Sequence, residues 1–249
     1  MPPRDPEPKY LEPLLGIVFD LDGTLVLSHH DFVRMRHTVV QIAEKYGVVP
    51  GHLTVNEPIH RIVEQAREEL RTSAAPDAVL YRFEAEYQKT IDTIEMEALP
   101  RTVPREGAEA LLKGLTDRGY RVGLLTRSSE FFARGALVKT GLAPYFPYLR
   151  TRSAPGPAKP SPEALFAILR EMEVPIDRAV FVGDHLMDAQ CAVAAHVRFY
   201  ALLPDPSEAV GSTQSEARFL AGGAAAVAKD LPTLARQLGV AAPPARLAP

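Results

Sequence analysis

Leu14-Leu15-Gly16-Ile17-Val18-Phe19-Asp20-Leu21-Asp22-Gly23-Thr24-Leu25 is the stretch from which the rest of the chain can be read. Its first six residues are continuously apolar and partly β-branched, and the run stops at an aspartate. A strand buried on both faces reads this way, which points to a parallel sheet. Asp20 and Asp22 are two positions apart, so on a continuing strand both would point to one face. If the chain turns after Asp20 instead, Gly23 supplies the conformational freedom for the turn.

Working outward, similar strings recur at Arg121–Leu125, Ala179–Val182, Val197–Leu203 and, more weakly, Ala224–Ala228. Helical patterns lie between them. Gly107–Arg118 places Ala108, Leu111, Leu112 and Leu115 on one face. Ser161–Met172 does the same with Leu165, Ile168 and Leu169, and Pro162 sits where a first helical turn tolerates it. Strands alternating with helices predict an α/β fold built of right-handed crossovers around a mostly parallel sheet.

Residues 28–100 break the alternation. Phe32, Met35, Val39, Ile42, Ala43 and Tyr46 follow steps of three or four. So do Ile59, Ile62, Val63, Ala66 and Leu70, and then Leu80, Phe83, Tyr87, Ile91 and Ile94. Three amphipathic helices in a row predict a small helical unit inserted after the first strand. The alternative is that these helices pack directly on the sheet. The expected organisation is an α/β core from 14–27 and 101–240, a helical insert over 28–100, and proline-rich tails at 1–13 and 241–249.

Composition narrows the function. The 249 residues are 46% hydrophobic and 24% charged, ordinary for a globular protein. The net charge of −3 gives no electrostatic footprint for nucleic acid. No apolar run approaches the ~18 residues of a membrane span, and the charged, proline-rich start does not resemble a signal peptide. A single cysteine, Cys191, excludes an internal disulfide framework and fits a reducing compartment. The expectation is a cytoplasmic protein, monomeric or homodimeric, without nucleic-acid or membrane partners.

The chemistry-bearing residues sit where strands end. The first strand runs into Asp20, Asp22 and Thr24, the second into Thr126-Arg127, and the third, Ala179–Val182, into Gly183-Asp184-His185-Leu186-Met187-Asp188. Lys159 lies in a loop. Carboxyl ends of parallel strands border the ligand crevice of such sheets. Asp20, Asp22 and Asp184, with Asp188 as a possible fourth, would repel one another at short range. A divalent cation and Lys159 would relieve that repulsion, and hard oxygen ligands favour Mg²⁺ bound beside a substrate phosphate. Thr126 and Lys159 can hold phosphate oxygens. Two neighbouring carboxylates can divide the roles of nucleophile and proton donor.

The string Asp20-Leu21-Asp22-Gly23-Thr24-Leu25 resembles the first signature of the haloacid dehalogenase-like hydrolases. Thr126 resembles their second, Lys159 their third, and Gly183-Asp184 with Asp188 their fourth, in order over residues 14–203. The insert is similar to the cap of the phosphoglycolate phosphatase-like branch. The resemblance implies a Rossmann-like, mostly parallel sheet flanked by helices, with a helical cap. It implies that Asp20 is the nucleophile and Asp22 the general acid, then base. It implies that Thr126 and Lys159 hold the phosphoryl group, helped by backbone N–H groups near Leu21 and Arg127. Mg²⁺ would take the Asp20 and Asp184 side chains and the Asp22 carbonyl, with Asp188 supporting the metal shell or orienting Lys159. The implied function is a Mg²⁺-dependent phosphatase acting on a small phosphate ester.

Alternatives remain at this level. A sugar phosphomutase shares every core residue. A phospho-accepting signalling domain or a partner-binding relative is the non-enzyme reading, but receiver domains are shorter and lack the insert. A dehalogenase needs no acid at Asp22. A phosphonate hydrolase would need a Schiff-base lysine in the insert, which offers only Lys45 and Lys89 in ordinary helix patterns. His185 and Arg127 are open between substrate contact and surface. His29 and His30 beside Asp31 invite a metal reading, but Asp31 or Ser28 reads better as an N-cap. Cys191, Tyr81, Phe83 and Tyr87 read as packing.

Overall fold

The apolar run that opens the sequence forms the central strand of a sheet. In the computed structural model, which describes residues 13–205 and 214–240, β1 (Gly16–Phe19) is buried along its whole length. The expected tails lie outside the described residues, except for Pro13. The chain continues through a short β2 (Val26–Leu27) to α1 (Phe32–Lys45), α2 (Ile59–Thr72) and α3 (Asp77–Ala98). It returns through β3 (Val103–Pro104) to α4 (Ala108–Thr116), β4 (Arg121–Leu125), α5 (Glu130–Lys139) and β5 (Tyr148–Arg150). Next come α6 (Pro162–Glu171), β6 (Ala179–Gly183), α7 (Leu186–Ala194) and β7 (Arg198–Leu202). The last elements are α8 (Glu216–Ala221), β8 (Ala226–Ala228) and α9 (Leu231–Gln237).

Six strands pair in the order β5-β4-β1-β6-β7-β8, and every pairing is parallel. The chain builds outward from β1 to one side, then returns to build the other. This is the doubly wound order, and its switch point lies between β1 and β6. Ile17 pairs with Val122 on one side and Val180 on the other, which fixes the register of the three strands whose ends carry acids and a hydroxyl. Ile17, Val18, Phe19, Val180, Phe181 and Val182 are fully buried. Each such side chain contributes about 1.5–3 kcal/mol through removal of its surface from water, so the centre of the sheet is its firmest part.

The chain divides into two compact units. One is His29–Arg101, and the other is formed by the residues on either side of it. The helical unit has its own core of Met35, Val39, Ile42, Ala43, Ile62, Val63, Ala66, Leu70, Phe83, Tyr87, Ile91 and Ile94. Asp31 caps α1 by accepting from the Arg34 N–H at 2.9 Å. Two expected packing residues of this unit lie outside its core. Tyr81 is exposed, because it precedes Phe83 by two residues and therefore faces away from the Phe83–Tyr87–Ile91 stripe. Phe32, in the first turn of α1, is also exposed.

Strand ends differ from the sequence reading by one or two residues. The notable additions are the three-residue edge strand β5, the β2–β3 pair and α5. Among the described residues no helix is long and apolar enough to cross a membrane.

Candidate active site

The chain turns immediately after β1. Asp20 donates its N–H to the Val182 carbonyl at 2.9 Å, a last bond to β6. Leu25 and Val26 then donate back to the Leu21 carbonyl at 2.8 and 3.1 Å. Gly23 holds φ at +76°, a left-handed conformation that favours glycine. A Cβ there would also lie 2.3 Å from the Asp184 carboxylate. The turn therefore sends Asp20 and Asp22 to different partners instead of to a common face.

Asp20 meets Lys159, whose Nζ stands 2.7 Å from Asp20 Oδ1 and 2.7 Å from Asp188 Oδ1. All three are buried. The ammonium also lies 5.5 Å from the centre of the Phe181 ring, a favourable cation–π position. Burial opposes the charge on Lys159, but Asp188 and Asp20 outweigh it and hold the ammonium well above the ordinary lysine range. Asp20 is pushed well above the ordinary carboxylate range by burial. Lys159 pulls it down, while Asp188 and Asp184 push it further up.

Asp184, just beyond β6, accepts from the Thr24 hydroxyl at 2.7 Å. Desolvation, and then the charge of Asp188, push its carboxyl up to about 7. Asp20, Asp184 and Asp188 each place one carboxylate oxygen so that the three lie within 4.8 Å of one another. Carboxylate oxygens are hard donors of the kind a divalent cation such as Mg²⁺ prefers, and Asp20 and Asp184 are the members of the group to face one, since Lys159 and the His185 N–H engage the two oxygens of Asp188. Gly183 makes room for this arrangement: a Cβ there would lie 2.5 Å from Asp188 Oδ2.

Asp22 is outside the three-carboxylate group. Its Oδ2 accepts from the Ser128 hydroxyl at 2.5 Å. Ser128 is buried, and its N–H donates to the Thr126 hydroxyl at 3.0 Å. Thr126 is buried at the end of β4, and its N–H donates to the Arg150 carbonyl at 3.0 Å. The Arg127 guanidinium donates to the Lys159 carbonyl, so at least one of its nitrogens holds the lysine loop. Ser128 went unremarked in the sequence, where its only signal is a position two residues past Thr126.

The remaining candidates have structural partners. His185 is the N-cap of α7: its Nδ1 accepts from the Met187 N–H at 3.1 Å, and Asp188 Oδ2 accepts from the His185 N–H at 3.2 Å. Asp188 thus serves Lys159 with one oxygen and a capping box with the other. Cys191 is buried, and burial pushes its thiol up to about 12. Lys45 is paired with Glu86 at 2.7 Å. His30 makes an edge contact with the Phe32 ring at 5.6 Å, and neither it nor His29 belongs to a metal-competent cluster among the described residues.

Comparison with known proteins identifies the family. A family model described as haloacid dehalogenase-like hydrolase matches residues 14–196. A phosphoglycolate phosphatase of Pseudomonas fluorescens is 31% identical over 192 residues, covering 75% of this chain and 68% of that protein. One from Cupriavidus necator is 31% identical over 191 residues, covering 74% and 79%. The fold is shared with a hydrolase from Pseudomonas syringae at a TM-score of 0.65 and 21% identity, covering 92% of this chain and 100% of that one. It is also shared with a haloacid dehalogenase family hydrolase from Deinococcus radiodurans with bound phosphate and sodium. That match has a TM-score of 0.58 and 19% identity, covering 93% and 99%. The chain belongs to the haloacid dehalogenase-like hydrolase family, and it is an enzyme of that family's phosphatase kind.

Proposed function

We propose that this phosphatase hydrolyses a small phosphate ester through a phosphorylated Asp20, with Mg²⁺ as its cofactor. The observation that carries the reading is the division of labour between two neighbouring carboxylates. Asp20 is buried against Lys159 at 2.7 Å, while Asp22, two residues on, is held by Ser128 at 2.5 Å. On this reading Asp20, beside a fixed cation, is the nucleophile, and Asp22 is held separately to move a proton.

In the first step an Asp20 carboxylate oxygen attacks phosphorus and forms the acyl–phosphate bond. The bond from phosphorus to the ester oxygen breaks, and Asp22 gives its proton to the departing alcohol. In the second step water attacks the phosphorus of the aspartyl-phosphate, and Asp22 takes the water proton. The acyl–phosphate bond breaks, releasing orthophosphate and restoring Asp20. Lys159 and Thr126 hold the non-bridging oxygens, and Arg127 keeps the Lys159 loop in place. Asp188 orients Lys159. Catalysis of this type rests on positioning and on charge neutralisation. The Asp20 and Asp184 carboxylates and the Asp22 carbonyl would hold Mg²⁺, which when bound supplies charge to offset the phosphoryl oxygens and the acidic cluster.

The helical unit His29–Arg101 is read as the cap that selects the substrate and excludes water. Phosphoglycolate is the first substrate to test, because the relatives above carry it in their names. The setting is read as cytoplasmic, and the assembly as a monomer or homodimer. The test is phosphate release from p-nitrophenyl phosphate, phosphoglycolate, sugar phosphates and nucleoside monophosphates, with Mg²⁺ and with EDTA. Metal-dependent release of orthophosphate supports the reading. Isomerisation of a sugar phosphate without net release would make the enzyme a mutase, and no reaction of any ester would refute both.

A further inference from the structure

Arg105 is 4% exposed, an unusual place for a guanidinium. It follows β3 and belongs to the same unit as the sheet. Its N–H donates to the Leu25 carbonyl at 2.9 Å. One guanidinium nitrogen donates to the Gly23 carbonyl, and another donates to the Leu203 carbonyl at 2.6 Å. Gly23 belongs to the turn after β1, and Leu203 follows β7. The strand between β1 and β7 is β6, whose end carries Asp184. One side chain thus ties the acidic turn to the far side of the strand from which Asp184 emerges.

The placement answers a mechanical need. Gly23 lies between the proposed proton donor Asp22 and Thr24, whose hydroxyl holds Asp184 at 2.7 Å. It is the residue of the turn with the most backbone freedom to lose, at φ +76°. A donor fixed on its carbonyl sets the Gly23–Thr24 peptide plane, and with it the seat of the Thr24 hydroxyl under Asp184. A lysine carries its donors on a single nitrogen, whereas the fork of an arginine can reach two separate carbonyls at once.

We propose that Arg105 is a positioning residue, which holds the Asp22–Thr24 turn and thereby the cation-facing carboxylate of Asp184 in working geometry. The proposal rests on the reading of the site as a cation-dependent phosphatase. It goes beyond that reading in assigning the organisation of the acidic turn to a side chain outside the set proposed to hold substrate and cation.

The test compares wild type, Arg105→Met and Arg105→Lys. Circular dichroism establishes folding. The Mg²⁺ concentration giving half of the cation-induced rise in Tm reads the site without turnover. Steady-state kinetics with p-nitrophenyl phosphate at saturating Mg²⁺ separate kcat from KM. For folded Arg105→Met the expected result is a fall in kcat of about ten- to a hundredfold, the scale of one lost charge-assisted hydrogen bond. Its Mg²⁺ midpoint should rise about tenfold, with KM nearly unchanged. Arg105→Lys, which keeps the charge and can keep one carbonyl, should recover part of both. A folded Arg105→Met with wild-type kcat and Mg²⁺ midpoint would overturn the proposal, as would a change confined to Tm or KM. If Arg105→Met does not fold, Arg105→Lys decides: intermediate values support the proposal and wild-type values overturn it. A wild type without Mg²⁺-dependent stabilisation or phosphate release refutes the reading of the site before any variant is compared, and the proposal falls with it.

Discussion

Replacing Lys159 with methionine removes one buried positive charge and keeps most of the side-chain volume against Phe181. Two buried carboxylate oxygens, on Asp20 and Asp188, each lose a partner at 2.7 Å. At an effective dielectric of about 20, each contact carries about 6 kcal/mol of Coulomb attraction. Desolvation of the three charged groups offsets most of that sum, and removing one partner from a buried pair costs about 3–5 kcal/mol net. The cost depends on pH. Asp20 already binds its proton more tightly than an ordinary carboxylate because of burial, and loss of Lys159 strengthens that tendency. The destabilisation should therefore be larger at pH 8 than at pH 5, because lower pH favours protonation of Asp20 and removes part of the orphaned charge. Urea unfolding of both proteins at the two pH values reads the difference directly. Phosphate release should be lost at every pH, because the group proposed to hold the phosphoryl oxygens is gone. A variant as stable as wild type at pH 8, or one destabilised more at pH 5, would refute the charge argument.

Three further outcomes follow from the same contacts. Asp184, raised to about 7 by desolvation and Asp188, must release its proton to accept a cation. The apparent Mg²⁺ affinity should fall about tenfold per pH unit below 7 and level off above it, as measured by calorimetric titration; a flat profile from pH 5.5 to 8 contradicts the assignment. Ser128→Ala frees the Asp22 carboxylate from its 2.5 Å contact, so kcat should drop about tenfold with little change in KM, and unchanged kcat would remove Ser128 from the account. Asp31→Ala removes the cap of α1 at 2.9 Å, so stability should fall by about 1 kcal/mol, a shift that chemical denaturation detects.

The motifs at the strand ends were legible in the sequence because each follows an apolar run whose burial leaves it no alternative to a central strand. The parallel sheet follows from β1, β4, β6 and β7 for the same reason. Edge strand β5 has three half-buried residues, Tyr148, Leu149 and Arg150, too short for any period. The β2–β3 pair holds two residues on each strand, and Pro104 within it reads as a linker residue. Within the site, Asp20, Lys159, Asp184 and Asp188 come together as their positions suggested. The sequence could not say that Asp22 would turn to Ser128, since that contact spans 106 residues. Arg105 was invisible for a related reason. In a Pro-Arg-Glu string a charge reads as solvated, and the carbonyls that receive the guanidinium lie 82 and 98 residues away in sequence.

The central claim is that Asp20 carries the phosphoryl group between the two steps. The most direct measurement is acid quenching during turnover of the best substrate, followed by peptide mass spectrometry. The account predicts the mass of one phosphoryl group on the peptide containing Asp20, removed by hydroxylamine as an acyl phosphate and absent from Asp20→Asn, which should also be inactive. Turnover with no adduct during the steady state, an adduct on another residue, or sustained activity of Asp20→Asn would contradict it.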